Sequence, residues 1–515
     1  MRKLSPVSLQ ILRRDLPLAV LAMLFALGVS RLRAMAELDV DAAVHLYRVL
    51  ERDLPGLVTF PYAAHKVLLP VYAVSVKLTQ WLGGDVLLGF RLLHAAALAL
   101  AGVLLCRLLG RCGVAAWPAV LLSAAWVTCG GNLFLLRTFE DDVLYLPWQV
   151  ALLGLFVSRL ESWSARDAWV GGLMLGAAWL MHYPALVWAG PMLLACASGG
   201  PREQPWLSAG RLRSLGAVLL GGLVVLLAFG VVRWLCGGSW ASYVELLLLK
   251  PNAVVGKLAS PAWMLIRLSN MPAVLVPFWP WAEMARPTLL QLAFAVGILV
   301  WSLIALLRPL RKAEAATPRE RVSTFVFRSL VICSLPSVII PDGALYERMG
   351  HVALFALVLL GLRLAPPSLT AAPASDTLPP APPSASPRAS WGAAALVSTS
   401  LLWAAWQERD SSWMARYTAL REAHPEACRF VFSESEFTPG DIHEYGRAFA
   451  LLEALPSHRL IRTSDVSWKV APRFTTPGEA RSEHRDCVWY SAAGRALMRH
   501  GGAPASAGAS PGLEP

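Results

Sequence analysis

Charged side chains are scarce in this chain. Only 16% of its 515 residues are Asp, Glu, Lys or Arg, whereas 56% are hydrophobic and the mean hydropathy is +0.52. A soluble domain usually carries about 25% charged and about 45–50% apolar residues. The composition therefore excludes disorder and a soluble nucleic-acid-binding protein as the main interpretation. It predicts a protein that crosses a membrane many times.

Several familiar motifs are also absent. The chain contains no glycine-rich phosphate loop, no HExxH helix and no GxSxG turn, so ordinary nucleotide and hydrolase chemistry has no visible site. Its eight cysteines form no CxxC pair and no zinc-ligand spacing. Only Cys428 and Cys487 lie in a polar region, and they could form a disulfide if that region lies outside the cytoplasm.

The apolar residues are collected in runs that suit membrane helices, which need about 20 mostly apolar residues. The runs cover residues 16–30, 86–106, 113–136, 143–158, 168–181, 183–200, 214–232, 287–307, 322–341, 351–362 and 391–406. We expect segment 65–81, which contains Lys77, to be a helix in the outer membrane interface. The predicted fold is an all-α polytopic membrane protein with about eleven transmembrane helices and a small soluble C-terminal α/β-type domain.

The formal net charge of +12 is largely an orientation signal. Cytoplasmic loops carry an excess of Lys and Arg. When the predicted spans alternate, one side of the membrane receives all of the main basic clusters: Arg2, Lys3, Arg13 and Arg14, then Arg107 and Arg111, Arg159 and Arg166, Arg202, Arg211 and Arg213, and finally Arg308, Arg311, Lys312, Arg319 and Arg321. The N-terminus is therefore predicted in the cytoplasm and the C-terminus outside it. The bias toward Arg and Ala is typical of a GC-rich bacterium, in which this membrane would be the inner one and the outer loops periplasmic.

Composition also divides the chain into segments. Residues 1–364 form the predicted transmembrane core. Residues 365–390, with eight prolines among Ala and Ser, are expected to be an extended cytoplasmic linker. Residues 391–407 form the last predicted helix, residues 408–500 a soluble domain outside the cytoplasm, and residues 501–515 a disordered tail.

The scarce carboxylates gather in two loops that the topology places outside. Asp39 and Asp41 follow the first span, and Glu140, Asp141 and Asp142 directly precede the fourth. An acidic residue can stabilise the positive N-terminal end of a helix, but this accounts for one carboxylate better than for three. The two loops are therefore candidates for a site at the outer membrane face.

Other features occur between and after these loops in a set order. His65 opens the interfacial helix as His-Lys-Val-Leu, Arg91 lies in the second span, and His182 lies within segment 172–186. Across roughly residues 10–365, this order resembles the GT-C class of polytopic glycosyltransferases, the superfamily of dolichyl-phosphate-mannose mannosyltransferases and ArnT-like enzymes. The His65 segment lacks the prolines of the class, Asp41 is followed by Ala42 where many relatives have Glu, and His182 stands where a Lys is often found.

The resemblance implies transfer of a sugar from a polyprenyl-phosphate donor to a glycan, lipid or protein acceptor, with no nucleic-acid partner. Asp41 would be the general base, with Asp39 as the alternative, and such a base typically contributes about 10²–10⁴-fold to the rate. Glu140, Asp141 and Asp142 would orient the acceptor. The leaving lipid phosphate would be bound by His65, Lys66, Arg91, Arg348 and His182. No cofactor is certain; a divalent metal bound by Asp141 and Asp142 stays open, because acids from separate loops could bind a hard cation.

Two other functions stay open beside the enzyme. One is a membrane transporter or a flippase for lipid-linked glycans, and the other is a non-catalytic envelope-assembly protein acting through residues 408–515. Transporters usually place ionisable residues near the middle of several spans. Here the acidic residues gather at the outer boundary, which favours the enzyme.

Overall fold

The computed structural model describes residues 52–60, 67–83, 86–129, 142–198, 208–255, 318–339 and 345–365, three short strands between residues 429 and 490, and scattered positions elsewhere. This described part is predominantly helical, as predicted. Three of its helices are long and apolar enough to cross a membrane: Leu88–Arg111, Asp142–Ser162 and Ala209–Leu235. The full count of about eleven spans stays a prediction, because run 391–406 and most of runs 16–30 and 287–307 lie outside the described residues.

We number the described helices in chain order. They are α1 (Leu54–Thr59), α2 (Leu68–Trp81), α3 (Val86–Arg111), α4 (Ala116–Val127), α5 (Asp142–Arg159), α6 (Ala165–Met181), α7 (Ala189–Ser198), α8 (Ala209–Leu235), α9 (Trp240–Val255), α10 (Pro318–Ile339) and α11 (Leu345–Leu364). A 3-10 segment, Tyr183–Trp188, joins α6 to α7. Most bounds agree with the predicted runs to within a few residues, whereas α1 and α9 were not predicted.

Helix α2 is the predicted interfacial helix. Its 14 residues extend about 21 Å at 1.5 Å per residue, which is short of the roughly 30 Å hydrocarbon core. Its buried face packs against Phe90 of α3 and Leu144 of α5. The Tyr72 ring stacks on Phe90 with 4.2 Å between ring centroids. Helix α2 therefore lies against the first turns of both long helices.

A hydrogen-bonded histidine reinforces this contact. Nδ1 of His94 lies 2.9 Å from the Phe90 carbonyl oxygen, and Nε2 lies 3.2 Å from the Tyr72 hydroxyl. The carbonyl can only accept, so Nδ1 carries the proton and the Tyr72 hydroxyl donates to Nε2. The buried imidazole therefore has hydrogen-bond partners in α2 and α3.

Helices α6 and α8 approach closely through glycines. A Cβ at Gly172 would overlap the backbone of Val218, and one at Gly176 would lie 2.9 Å from the Gly222 carbonyl oxygen. On α8, a Cβ at Gly221 would lie 2.6 Å from the Trp169 carbonyl oxygen. Small residues four apart allow two membrane helices to bring their backbones together. Only 17% of the most apolar segment of α8 is buried, against 61% for the two other candidate spans, so the rest of α8 presents apolar side chains outward.

Ion pairs lie at the end of the bundle that the sequence predicts as cytoplasmic. Arg107 at the end of α3 is 2.5 Å from Asp15, and Arg321 near the start of α10 is 2.6 Å from Glu161. Ser164 caps α6 in a reciprocal capping box with Asp167. The structure therefore brings together charges that the sequence assigns to one side of the membrane.

Arg233, at the C-terminal end of α8, contacts the opposite end. Its guanidinium donates hydrogen bonds to the carbonyl oxygens of Val58 (3.1 Å), Thr59 (2.6 Å) and Phe60 (3.3 Å). These include the last carbonyls of α1, which lack partners within the helix. A cation at a helix C-terminus also interacts favourably with the helix dipole. Arg233 thus attaches α1 to α8, and with it the end of the loop that the sequence predicts to lie outside.

The C-terminal region contributes a parallel sheet with strand order β2-β1-β3. The strands are β1 (Arg429–Val431), β2 (Arg459–Ile461) and β3 (Val488–Tyr490). In the register of β1 and β3, Arg429 pairs with Val488. Cys428 and Cys487 lie outside the described residues, but each directly precedes one member of this pair in the sequence. The extent and location of the soluble domain stay predictions.

The glycine contact predicts opposite effects for the same substitution at two sites. Gly172→Ala should destabilise the protein by about 1–3 kcal/mol, because the new methyl group forces α6 and α8 apart. Gly216→Ala, also within a helix of this pair, meets nothing within 4 Å and should be neutral or stabilising by up to about 1 kcal/mol. Thermal unfolding of the purified protein in detergent measures both effects. Equal midpoints for the two variants would contradict the close contact.

The β1–β3 register sharpens the predicted disulfide between Cys428 and Cys487. Denatured protein should react with a maleimide polymer at six thiols before reduction and at eight after it, since the chain has eight cysteines. Cys428→Ser and Cys487→Ser should each give seven reactive thiols in both conditions. Eight reactive thiols in the unreduced wild type would contradict the disulfide.

Candidate functional site

The candidate site is built around a buried ion pair between Asp142 and His182. Oδ1 of Asp142 lies 2.7 Å from Nδ1 of His182, and the two side chains are 7% and 5% exposed. Such a short contact between a carboxylate and an imidazole is an ion pair when the imidazole is protonated. A buried carboxylate needs such a partner, because removing it from water is otherwise costly. The pair therefore joins the second acidic loop to the segment after α6.

Each member of the pair stands at a helix end. Asp142 is the first residue of α5, where the exposed backbone N–H groups favour a negative charge. His182 follows the last residue of α6 and has an extended backbone, with φ −151° and ψ 124°. Pro184 lies at the start of the following 3-10 segment and supplies no backbone N–H. The helix therefore breaks at His182, and its ring lies against the start of α5.

Backbone hydrogen bonds stabilise this break. The His182 N–H donates to the Ala178 carbonyl (2.8 Å), and the His182 carbonyl accepts from Ala185 (3.0 Å). The Leu180 carbonyl accepts from Val67 at the start of α2 (3.1 Å). The last bond places the start of the interfacial helix beside the Asp142–His182 pair.

Tyr145 lies one helical turn from Asp142. Its ring meets the His182 ring edge-on, with 6.3 Å between centroids. The residue is only 2% exposed, and its hydroxyl has no hydrogen-bond partner in the part of the chain that the structure describes. The phenol is therefore a buried donor adjacent to the ion pair.

The pair can perform two kinds of chemistry. A carboxylate bound to Nδ1 fixes the orientation of an imidazole and keeps a proton on that nitrogen. An imidazole held in this way can take part in proton transfer or contribute positive charge beside an anion.

The structure describes some of the site residues predicted from the sequence and not others. Asp142 and His182 are brought together. Arg91 lies half-buried in the second turn of α3, next to Phe90 and therefore near the contact with α2. The backbone of Arg348 belongs to α11, and its side chain is outside the described part. Other predicted residues also lie outside the described residues: Asp39, Asp41, His65, Lys66, Glu140 and Asp141.

Two features of this region were not predicted. The proximity of Tyr145 was detectable in principle, because its spacing of three from Asp142 places both on one helix face. The Tyr72–His94 hydrogen bond joins residues that are 22 apart in sequence, and no local pattern indicates such a contact.

The predicted metal site is tested only in part. Among the residues that the structure describes, no three His, Cys, Asp or Glu side chains come together as a metal-binding group. One oxygen of Asp142 is already in ion-pair contact with His182. Asp141 is not among the described residues, so a metal bound by Asp141 and Asp142 stays a hypothesis.

Comparisons with protein-family models and with curated proteins find no match to this chain.

The ion pair predicts strong coupling between its two members. In a double-mutant cycle, Asp142→Ala and His182→Ala should be non-additive by about 0.5–3 kcal/mol in the free energy of unfolding, because either substitution removes the same interaction. Asp142→Ala and His94→Ala form the control cycle, in which the effects should add, since His94 bonds to Tyr72 and Phe90 and neither bond involves Asp142. Additivity in the first cycle would show that the pair contributes no coupling.

Proposed function

We propose that this protein is an integral-membrane glycosyltransferase that moves a sugar from a polyprenyl-phosphate donor to an acceptor outside the cytoplasm. The buried Asp142–His182 pair is the observation that carries the proposal. It joins the second acidic loop to the residue that follows the glycine-rich helix, and both were selected from the sequence as site residues. The start of α2 adjoins the pair through the Val67–Leu180 bond.

The sequence order adds further groups to this location. His65 and Lys66 directly precede Val67, and Glu140 and Asp141 directly precede Asp142. Chain connectivity therefore keeps their backbones within a few residues of the pair, since consecutive Cα atoms are about 3.8 Å apart. Cations and carboxylates from separate segments would meet at one end of the bundle.

The proposed reaction is a nucleophilic substitution at the anomeric carbon of the sugar. A carboxylate, Asp41 or its alternative Asp39, takes the proton of an acceptor hydroxyl as the oxygen attacks that carbon. The bond between the carbon and the phosphate oxygen breaks, and the electron pair leaves with the polyprenyl phosphate. His65, Lys66, Arg91, Arg348 and His182 would stabilise the developing negative charge. The donor is already activated, so no nucleotide site is needed.

Asp142 has a different role in this scheme. Its carboxylate holds the imidazole of His182 in one orientation, and with Glu140 and Asp141 it would orient the acceptor. Arg233 of α8 would support the first acidic loop, because it binds α1 and α1 follows the loop that carries Asp39 and Asp41. Arg233 would limit the movement of that loop's C-terminal end.

A transporter or flippase is the second candidate function. Arg328 is buried in the middle of α10, and His351 in α11 is buried 3.3 Å from the Ser334 hydroxyl. Ionisable residues within spans often mark transport pathways. Sugar transfer by the purified protein in detergent, where no compartments exist, distinguishes the enzyme from the transporter.

The proposal predicts the effect of replacing the acidic residues. Asp41→Asn should reduce sugar transfer from a polyprenyl-phosphate donor by about 10²–10⁴-fold through loss of the base. Asp142→Asn should reduce transfer, because the neutral amide removes the negative charge that pairs with His182. The assay follows radiolabelled sugar from the donor into acceptor in membranes that contain the full-length protein.

Asp167→Asn is the matched control, because Asp167 lies in the capping box at the opposite end of α6. It should leave transfer unchanged. Full transfer by Asp41→Asn would contradict the assignment of the base, and full transfer by both Asp41→Asn and Asp142→Asn would contradict the site.

A further inference from the structure

A row of polar side chains extends inward from the ion pair. Asp142, Tyr145 and Gln149 are at positions i, i+3 and i+7 of α5, which places them on one face. Together they span about 10 Å along the helix axis. All three are buried, at 5%, 2% and 7% exposure. This row is unusual for an otherwise apolar membrane helix.

Two groups of the row have unused hydrogen-bonding capacity. The Tyr145 hydroxyl and the Gln149 Oε1 are buried and make no hydrogen bond within the described part of the chain. A buried polar group without a hydrogen-bond partner destabilises the protein. Along α5, Tyr145 lies one turn from Asp142 and Gln149 one turn further.

The surroundings of Tyr145 define this place. Its ring borders His182, and it is close enough to Cys333 of α10 for an electrostatic interaction. The Cys333 thiol donates to the Val187 carbonyl at 3.5 Å. Tyr145 therefore lies where α5, the 3-10 segment and α10 meet, behind the ion pair.

The two unused groups select the chemistry of the ligand. Gln149 Oε1 can only accept a hydrogen bond, whereas the Tyr145 hydroxyl can donate or accept. An ionised phosphate only accepts, so it cannot satisfy Gln149 Oε1, and an apolar lipid tail satisfies neither group. A sugar hydroxyl both donates and accepts, and so matches both.

We propose that Tyr145 and Gln149 form a subsite for the uncharged hydroxyl groups of the transferred sugar, behind the Asp142–His182 pair. This inference rests on the proposed function. It specifies that α5 recognises the sugar of the donor. The phosphate would stay at the ion pair and the loops, while the sugar would contact the α5 face. Tyr145 and Gln149 would thus determine which sugar is accepted.

Binding to two lipids separates this subsite from the phosphate site. The probes are undecaprenyl phosphate and the same lipid carrying one glucose, mannose or arabinose, each titrated into the full-length protein in detergent while the thermal midpoint is followed. The wild type should bind one of the sugar-bearing lipids more tightly than the bare lipid. Tyr145→Phe and Gln149→Leu should each weaken binding of that lipid about tenfold, the loss of roughly one hydrogen bond, and leave binding of the bare lipid unchanged.

Stability measurements distinguish this role from a structural one. Tyr145→Phe removes a hydroxyl without a partner and keeps the ring, so the thermal midpoint without ligand should not fall. Tyr72→Phe is the control: it removes a hydroxyl bonded to His94 and should lower the midpoint without selective loss of sugar-lipid binding.

Three results would overturn the inference. Unchanged binding of the sugar-bearing lipid by Tyr145→Phe would assign the hydroxyl to an ordered water only. An equal loss for both lipids would place Tyr145 at the phosphate or the tail. No binding of any probe by the wild type would overturn the subsite together with the proposed function. In contrast, selective sugar recognition by Tyr145 combined with full transfer by Asp41→Asn and Asp142→Asn would contradict only the catalytic assignments.

Discussion

Inside an apolar bundle, every backbone N–H and C=O group needs a partner within the protein, because lipid offers none. Continuous helices meet this requirement along most of the described chain. Residues 182–188 are not part of a continuous α-helix, since the helix stops at His182 and a 3-10 segment follows. They must meet the requirement in another way. The carbonyls of Leu180, His182 and Val187 instead accept hydrogen bonds from Val67, Ala185 and the Cys333 thiol. The break is thus stabilised by three different parts of the structure.

This break gives the candidate site its geometry. If α6 continued as a helix, the helical geometry would fix the direction of the side chain at position 182. The extended backbone at His182 instead allows the imidazole to reach Asp142. Irregular backbone at membrane depth is tolerated where it is buried in protein or lines a cavity. The same backbone change therefore serves both the ion pair and the contact with the interfacial helix.

Sequence predicted the elements better than the contacts between them. Runs of apolar residues located α3, α5, α6 and α8, because the length of a membrane helix is set by the bilayer. The interfacial helix was predicted from its interior Lys77 and its start at His65 and Lys66. The partner of Asp142 was not predictable, since His182 is 40 residues away and the pairing depends on how α5 and α6 pack. Both residues were nevertheless selected as site candidates, each from its own local context.

Buried hydrogen-bonding capacity could not be predicted from sequence at all. Tyr145 and Gln149 in an apolar run indicate only a membrane helix with two polar positions. Their significance depends on what the neighbouring helices provide, and α10 belongs to a distant part of the chain. Similarly, the glycines of α6 predict a close contact, but only the packing identifies α8 as the partner.

Arg233 illustrates how such a structure can tolerate sequence drift. Its three hydrogen bonds end on backbone carbonyls, which every amino acid supplies. Side chains at positions 58–60 could therefore change over evolutionary time without loss of these bonds, whereas Arg233 itself could not, because no other side chain offers five donors in a rigid planar fork. The attachment of α1 to α8 thus depends on the side chain of one residue.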